Sequence, residues 1–312
     1  MSASVHPLKR HWRWMRWALL AVAVALLLAG SLVAWNLRQM GFLRAPVFEI
    51  ARPAIPEIAR PAVLVFSKTN SFIHVDAIPA AKGLLQQLGV EQGWGVFVSD
   101  SGGVFNAEDL ARFDVVVWNN VTGDVLTPEQ REAFRHWLEV GGGFVALHAA
   151  GDNSHAGWPW YLDTVIRAHF IGHPMNPQFQ SARVNVEQPL DPILAGMPNP
   201  WQHTDEWYSF AASPRAPDVR VLAALDETSY SPGRFMGTEL SMGTDHPIIW
   251  KHCVGGGRVF YSAMGHTAES YADPAYRDVL LRAIGWAARL DPARDVSESP
   301  LACERSLERT EP

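Results

Sequence analysis

The stretch Gly141 to Asp152, GGGFVALHAAGD, puts a turn, an apolar run and a histidine side by side. Three glycines mark the turn, Phe144 to Leu147 form the run, and His148 stands where the run stops. Such a run reads as a buried strand, and in an open α/β sheet ligands bind in the crevice beyond the carboxyl ends of the parallel strands. Ala149, Ala150 and Gly151 leave room for a ligand beside the imidazole. The same position also suits a histidine that merely completes the packing of a strand end.

Other polar residues fall at strand ends in the same way: Ser67, Lys68 and Thr69; Asn119 and Asn120; Asp152; and His266 after Met264 and Gly265. His74 lies just beyond the first strand, and His203, Asp205 and Glu206 form a further cluster. Parallel topology would gather these on one edge of the sheet, so His74, His148 and His266 are expected to approach one another with Asp205 or Glu206 nearby as the catalytic set. Two chemistries are open to it. Histidines and a carboxylate could hold a divalent metal that polarises a substrate oxygen, or His148 with Asp205 or Glu206 could exchange protons without one. The spacings match no standard metal signature. There is no CxxC pair and no HExxH, so any metal would rely on histidine and carboxylate ligands. A GxGxxG after a strand, a Walker lysine motif and a GxSxG elbow are also absent, which argues against nucleotide binding by those devices and against a serine nucleophile.

These residues need a scaffold, and the chain reads as βα alternation. Ala62 to Phe66, Trp94 to Val98 and Asp114 to Trp118 are short apolar runs typical of buried parallel strands, with helical spacing over Ala77 to Leu88. Thr127-Pro128-Glu129-Gln130 is a helix start with an N-cap, a proline at the first position and a capping-box glutamine; its helix should run to about Val140. Asn153 to Pro177 is an irregular excursion carrying Trp158-Pro-Trp-Tyr161, His169 and His173, and it reads as a wall or lid. Arg183 to Glu187 alternates like an edge strand, Val219 to Leu225 is another strand, and His246 to Trp250 and Arg258 to Ser262 read as a pair around Gly255 to Gly257. A last helix covers about Pro274 to Leu290. The fold class is therefore α/β, a doubly wound, mostly parallel sheet.

Before this domain, Lys9, Arg10, Arg13 and Arg16 precede an apolar run from Trp17 to Trp35, whose 19 residues suffice to cross a membrane. The charge bias places residues 1–16 in the cytoplasm and the domain outside. A cleaved signal peptide is the rival, though Ala29-Gly30-Ser31 is its only weak site. Residues 36–61, with Pro46, Pro53, Pro56 and Pro61, read as an extended tether, 62–290 as the domain and 291–312 as a disordered tail. With 48% hydrophobic and 19% charged residues in 312, the chain can bury a full core. A net charge of −6 and no basic block beyond the N-terminus give no nucleic-acid surface. Cys253 and Cys303 are the only cysteines, the second in a polar tail, so a structural disulfide is not expected. Thirteen tryptophans and 14 phenylalanines are chiefly core, with some free to stack on sugars.

Phe66-Ser-Lys-Thr69 with His74, Asn119 to Asp124, Gly141 to Ala150, Trp158 to Tyr161, Asp205-Glu-Trp-Tyr208, Gly243 to Pro247 and Gly265-His-Thr267 with Ser270-Tyr271 together resemble the ThuA-like, or trehalose-utilisation, family over about Ala62 to Ala288. The resemblance implies a flavodoxin-like domain of the class I glutamine-amidotransferase type without its cysteine, His148 standing at the elbow. It implies a role in carbohydrate metabolism, on disaccharides or 3-keto sugars, with a non-catalytic sugar-binding or scaffold module and a metal-dependent hydrolase as alternatives. Lys68, Asn119, Asn120, Asp152, Trp158, Trp160, Tyr161, Trp207 and Tyr208 are the expected substrate contacts, with Trp158 to Tyr161 as an aromatic wall. A divalent metal is an open cofactor, a small carbohydrate the expected partner, and the oligomeric state is open.

Overall fold

Val, Leu and Phe dominate five short runs, four of them buried along their whole length and one, Gly95–Ser99, half-buried at the edge of the sheet. In the computed structural model, which describes residues 8–290 and Cys303, they are β1 (Ala62–Phe66), β2 (Gly95–Ser99), β3 (Val115–Asn119), β4 (Gly143–Leu147) and, much later in the chain, Gly257–Ser262. Between the first four lie α2 (Ala77–Gln92), the short α3 (Ala107–Leu110) and α4 (Pro128–Glu139), following the N-terminal α1 (Leu8–Gln39). Helix α4 begins with the expected reciprocal cap: Gln130 N–H donates to Thr127 Oγ1 at 3.3 Å and Thr127 N–H to Gln130 Oε1 at 2.9 Å.

The second half adds β5 (Phe170–Gly172), β6 (Phe179–Val186), β7 (Trp201–Glu206), β8 (Ser209–Phe210), β9 (Val219–Asp226), β10 (Arg234–Phe235), β11 (Thr238–Glu239), β12 (Pro247–Val254) and β13 (Gly257–Ser262), then α5 (Ala268–Ala272) and α6 (Pro274–Ala287). The main sheet has nine strands in the order β2-β1-β3-β4-β13-β12-β9-β6-β7. Its first five are parallel, in the order of a flavodoxin-like sheet, and the remaining four continue it antiparallel. The strand expected at the edge, β6, has neighbours on both sides; the edge is β7, which alternation along the sequence did not announce.

Helix α1 forms a unit of its own with residues up to Ala45. It extends beyond the expected 17–35 run because neither proline nor a helix-ending glycine interrupts it before Gly41, which takes φ +100°. Its His11–Gln39 portion contains an 18-residue window of mean hydropathy 2.5 and is long and apolar enough to cross a membrane.

Two expectations are corrected. Residues 46–61 are extended, yet from Pro46 the chain belongs to the compact domain and lies along it as a strap. Asn70 brackets the Val47 backbone, Glu49 pairs with Lys68 at 2.7 Å, Arg52 forks onto Asp109 at 2.6 and 2.9 Å, and Arg60 meets Asp114 at 2.6 Å. Prolines remove regular structure but leave side chains free to dock, so the composition told of conformation and not of attachment. Second, Cys253 on β12 is bonded to Cys303 across a Cα–Cα distance of 5.6 Å. Cys303 is buried despite its polar sequence neighbours, and its carbonyl accepts from Arg289 Nη1 at 2.8 Å. The rest of the tail expected to be disordered, and residues 1–7 of the basic segment, lie outside the described residues.

Candidate functional site

His148 takes φ +47°, a left-handed conformation that costs a non-glycine residue and that turns the chain sharply at the end of β4. The neighbouring strand holds it there. Leu147 pairs with Ser262 of β13, so Ala263, one residue on, accepts a hydrogen bond from His148 Nδ1 at 2.7 Å, while Tyr261 Oη donates to the His148 carbonyl at 2.9 Å. Donation from Nδ1 turns Nε2 towards the crevice.

His266 comes from the turn after β13. Gly265 precedes it at φ +110°, and a Cβ there would lie 2.4 Å from Tyr271 Oη. The Asp205 carboxylate clamps this turn, accepting from Gly265 N–H at 2.7 Å, His266 N–H at 3.0 Å and Ser270 Oγ at 2.8 Å. Glu206, the next residue, ends β7. That strand is five places from β4 in the sheet order, about 24 Å away in a flat sheet, yet Glu206 Oε2 is 3.4 Å from His148 Nε2. The antiparallel half therefore curls back over the ends of the parallel strands.

His74, from the loop between β1 and α2, completes the group. Its ring lies 4.6 Å from His266 and 5.0 Å from His148, which are themselves 5.0 Å apart. His266 Nδ1 is 3.0 Å from both His148 Nε2 and Glu206 Oε2. One ligand atom from each of His74, His148, Glu206 and His266 falls within 4.8 Å of the others. A tetrahedral ion with bonds of 2.0–2.2 Å sets its ligand atoms about 3.4 Å apart, so small side-chain adjustments would close this set around a cation. His74 Nδ1 is buried without a hydrogen-bond partner.

Protonation states separate within the group. Burial, reinforced by His148 and His266, holds the His74 imidazole well below its ordinary pKa, so it is neutral. Burial opposes charge on His148 too, but Glu206 outweighs it and raises the pKa. Burial would raise Glu206, yet hydrogen bonding and attraction from His148 and His266 hold it far below the carboxylate range. Asp205, although buried, is lowered by His203, His148 and the Gly265 N–H.

The expected substrate contacts divide. Tyr208 lies against His148, ring centroids 4.1 Å apart. Asp152 accepts from Ser154 N–H at 2.8 Å, and burial raises its pKa. Asn120 takes φ +52° and donates to Asn119 and to Tyr271 Oη, leaving its buried Oδ1 without a partner. Asn119 donates to Ser67 Oγ and the Ile78 carbonyl. Lys68 is engaged by Glu49, and the buried Trp207 donates to the Gln180 carbonyl. The stretch Trp158 to Tyr161 does not wall this group among the described ring contacts. Trp158 packs on Trp118 and Phe134, Tyr161 is buried with its hydroxyl on the Ala150 carbonyl, and Trp160 lies under Arg135. Its apolar character served the interface with α4.

Three residues outside the expected set adjoin the four. His173 Nδ1 is 3.1 Å from Glu206 Oε1, Gln178 donates to the same oxygen at 2.5 Å, and the Phe179 ring is 5.2 Å from His266. His173 stood out only as a histidine in an irregular stretch. Phe179 owes its place to pairing opposite Glu206, a non-local register that no local pattern encodes.

Among solved structures, a ThuA-like protein from Bacteroides uniformis is similar with a TM-score of 0.63 and 24% identity, over 75% of this chain and 94% of that one. A second, from Parabacteroides merdae, has a TM-score of 0.53 and 22% identity, over 73% of this chain and 89% of that one. At these identities the likeness is one of fold. No curated protein matches the chain. The family model ThuA, described as trehalose utilisation, matches residues 62–287, which hold all four clustered residues and the strands that deliver them; the chain belongs to the ThuA family.

Proposed function

We propose that this protein is a carbohydrate-active enzyme, working on a disaccharide or its 3-keto form, whose crevice holds a divalent cation through His74, His148, Glu206 and His266. The observation that carries the reading is the convergence of three imidazoles and a carboxylate from four separate parts of the chain, one imidazole neutral and with a buried nitrogen unpartnered. Nitrogen and carboxylate donors of this kind suit zinc and its neighbours in the first transition row. The cation would supply polarisation of a sugar carbonyl or hydroxyl oxygen. The chain's own groups orient and move protons: Ala263 fixes the His148 tautomer, Asp205 positions the His266 turn, and the half-buried His173 stands beside Glu206 within reach of an entering hydroxyl. The family's description supports a sugar. His155, His203, His246 and His252 are buried elsewhere, and it is the convergence of His74, His148 and His266 on one carboxylate that supports turnover over a purely scaffolding role.

A second reading keeps the sugar and omits the metal. The opposed shifts of His148 and Glu206 favour it, since they bias the imidazole towards its charged, acidic form beside an ionised carboxylate. Elemental analysis of untagged protein, followed by turnover of disaccharides and their 3-keto forms with and without chelator, separates the two. Metal near one per chain and activity lost in chelator are expected; full activity in metal-free protein would leave proton transfer alone.

The reading extends to the membrane. The basic residues before the apolar run of α1 favour a cytoplasmic N-terminus and an exported domain, and the Cys253–Cys303 bond suits an oxidising compartment. A reporter fused after Pro61 should be exported and stay membrane-bound; a soluble, shortened product would establish a cleaved signal.

A further inference from the structure

Of the four clustered residues, His74 and His148 are buried, Glu206 is 1% exposed at its side chain, and His266 is 14% exposed at its own. An incoming molecule therefore meets the group along the His266 edge. Two phenylalanines from distant parts of the chain flank that edge. Phe72, in the loop before His74, has its ring 4.8 Å from His74 and 6.4 Å from His266; Phe179, at the start of β6, has its ring 5.2 Å from His266.

A scattered exposed apolar side chain is ordinary, so exposure alone says nothing. Phe179 differs by its position. It pairs with Glu206 across the antiparallel β6–β7 ladder, so the two side chains leave the sheet on the same face. It keeps 43% of its surface in solvent while its inner edge touches the imidazole nearest the opening. β6 pairs with β9 only from Arg183 onward, so in the ladder Phe179 faces Glu206 of β7 alone.

We propose that Phe179 is the platform of the substrate site: a pyranose ring lies with its C–H face on the Phe179 ring and turns its oxygens towards His266 and the cluster behind it. A ring sugar is the ligand class that satisfies both halves. One face carries axial C–H groups and the edge carries vicinal oxygens, whereas a linear polyol offers no flat apolar face and a planar aromatic lacks the oxygens. The proposal rests on the carbohydrate reading above and replaces the aromatic wall expected at Trp158 to Tyr161 with one built on β6.

The test uses the full chain in detergent, as wild type, Phe179→Ala and Phe179→Tyr. Isothermal titration with trehalose, its 3-keto form and the linear polyol sorbitol reads binding; cobalt(II) titration, followed by visible absorbance, reads the cluster independently. Phe179→Ala should weaken binding of the ring sugar that binds wild type by about tenfold, while Phe179→Tyr stays within about twofold. Sorbitol binding should be weaker and insensitive to either change, and the cobalt spectrum unchanged throughout. Equal ring-sugar affinity in wild type and Phe179→Ala overturns the platform alone. Failure of wild type to bind either ring sugar, with cobalt binding intact, overturns the carbohydrate reading and the platform with it. Failure to bind cobalt removes the metal while the sugar titration still decides the platform.

Discussion

Two buried polar groups lie towards opposite ends of β13, and they have opposite characters. Just past its end, Ala263 anchors His148 in the histidine–carboxylate cluster. At its start, Arg258 joins Lys251, Asp191 and Trp286. There Lys251 Nζ lies 2.8 and 3.1 Å from the two Asp191 oxygens and 4.6 Å from the Trp286 ring centroid, and Arg258 donates to the Trp286 carbonyl at 2.7 Å. Both groups carry buried charge. The second is closed to solvent, with Lys251 between an anion and an aromatic face and all four residues buried. The first has a left-handed histidine, a buried nitrogen with no partner and an edge open to solvent. Burial of charge therefore does not by itself single out the candidate site; the left-handed backbone and the edge open to solvent at the carboxyl ends of the strands do.

The largest effect should come from breaking the closed group. Lys251→Met leaves Asp191 buried without its ammonium and should lower stability by about 3–5 kcal/mol, with most of the loss recovered when Asp191→Leu is added. Urea unfolding measures this, and metal content and sugar binding of the folded protein should not change. A change in metal content would mean that the two groups are coupled through β13. Next, Cys303→Ser releases the link made two residues beyond Lys251 and should lower stability by about 2–4 kcal/mol, again without effect on the crevice. Reduction by dithiothreitol should have the same effect on wild type and none on the variant.

On the strained side the comparison is between His148→Gly and His148→Ala. Both remove the imidazole, so both should lose bound metal and turnover, but glycine relieves φ +47° and alanine does not. The glycine variant should be the more stable by about 1 kcal/mol; equal stabilities would show that the turn stores no strain. The smallest effect concerns a carboxylate–histidine pair in neither group. Burial works against Glu227, but His246, Ser241 and the Met242 N–H hold it down to about 2. A depressed carboxylate contributes stability that is present above its unfolded pKa and lost as pH falls towards its folded one. Stability should therefore decline between about pH 4.5 and pH 2, with a shallower slope in Glu227→Gln, as acid titration followed by circular dichroism would show.

The parallel core was legible because each of its strands is a local event: an apolar run, a turn and a polar residue at the end, as at Phe144 to His148. The same logic brought His74, His148 and His266 to one edge on paper. Glu206 was named from its cluster with His203 and Asp205 and from a family-like motif and not from the sheet, since its arrival depends on the curl of four antiparallel strands and on a register set by residues remote in sequence. Phe179 and His173 were hidden for that reason. Trp158 to Tyr161 was misplaced because aromatic richness does not distinguish a wall facing a ligand from one facing a helix. Cys303 was misjudged because polar neighbours in sequence were taken to imply polar surroundings in space.

The strap from Pro46 to Pro61 also sets where the domain can be cut. Lys68 is 6% exposed, and Glu49 is the carboxylate paired with it. A soluble fragment begun at Ala62, where the first strand starts, would keep every element of the sheet and still strand that ammonium in the interior, while Gly102 and Gln130 would lose their partners on the same residue. A truncation intended to isolate the domain from its apolar N-terminal helix should therefore begin at Pro46, because the shortest piece that contains the fold is not the shortest piece that balances its charge.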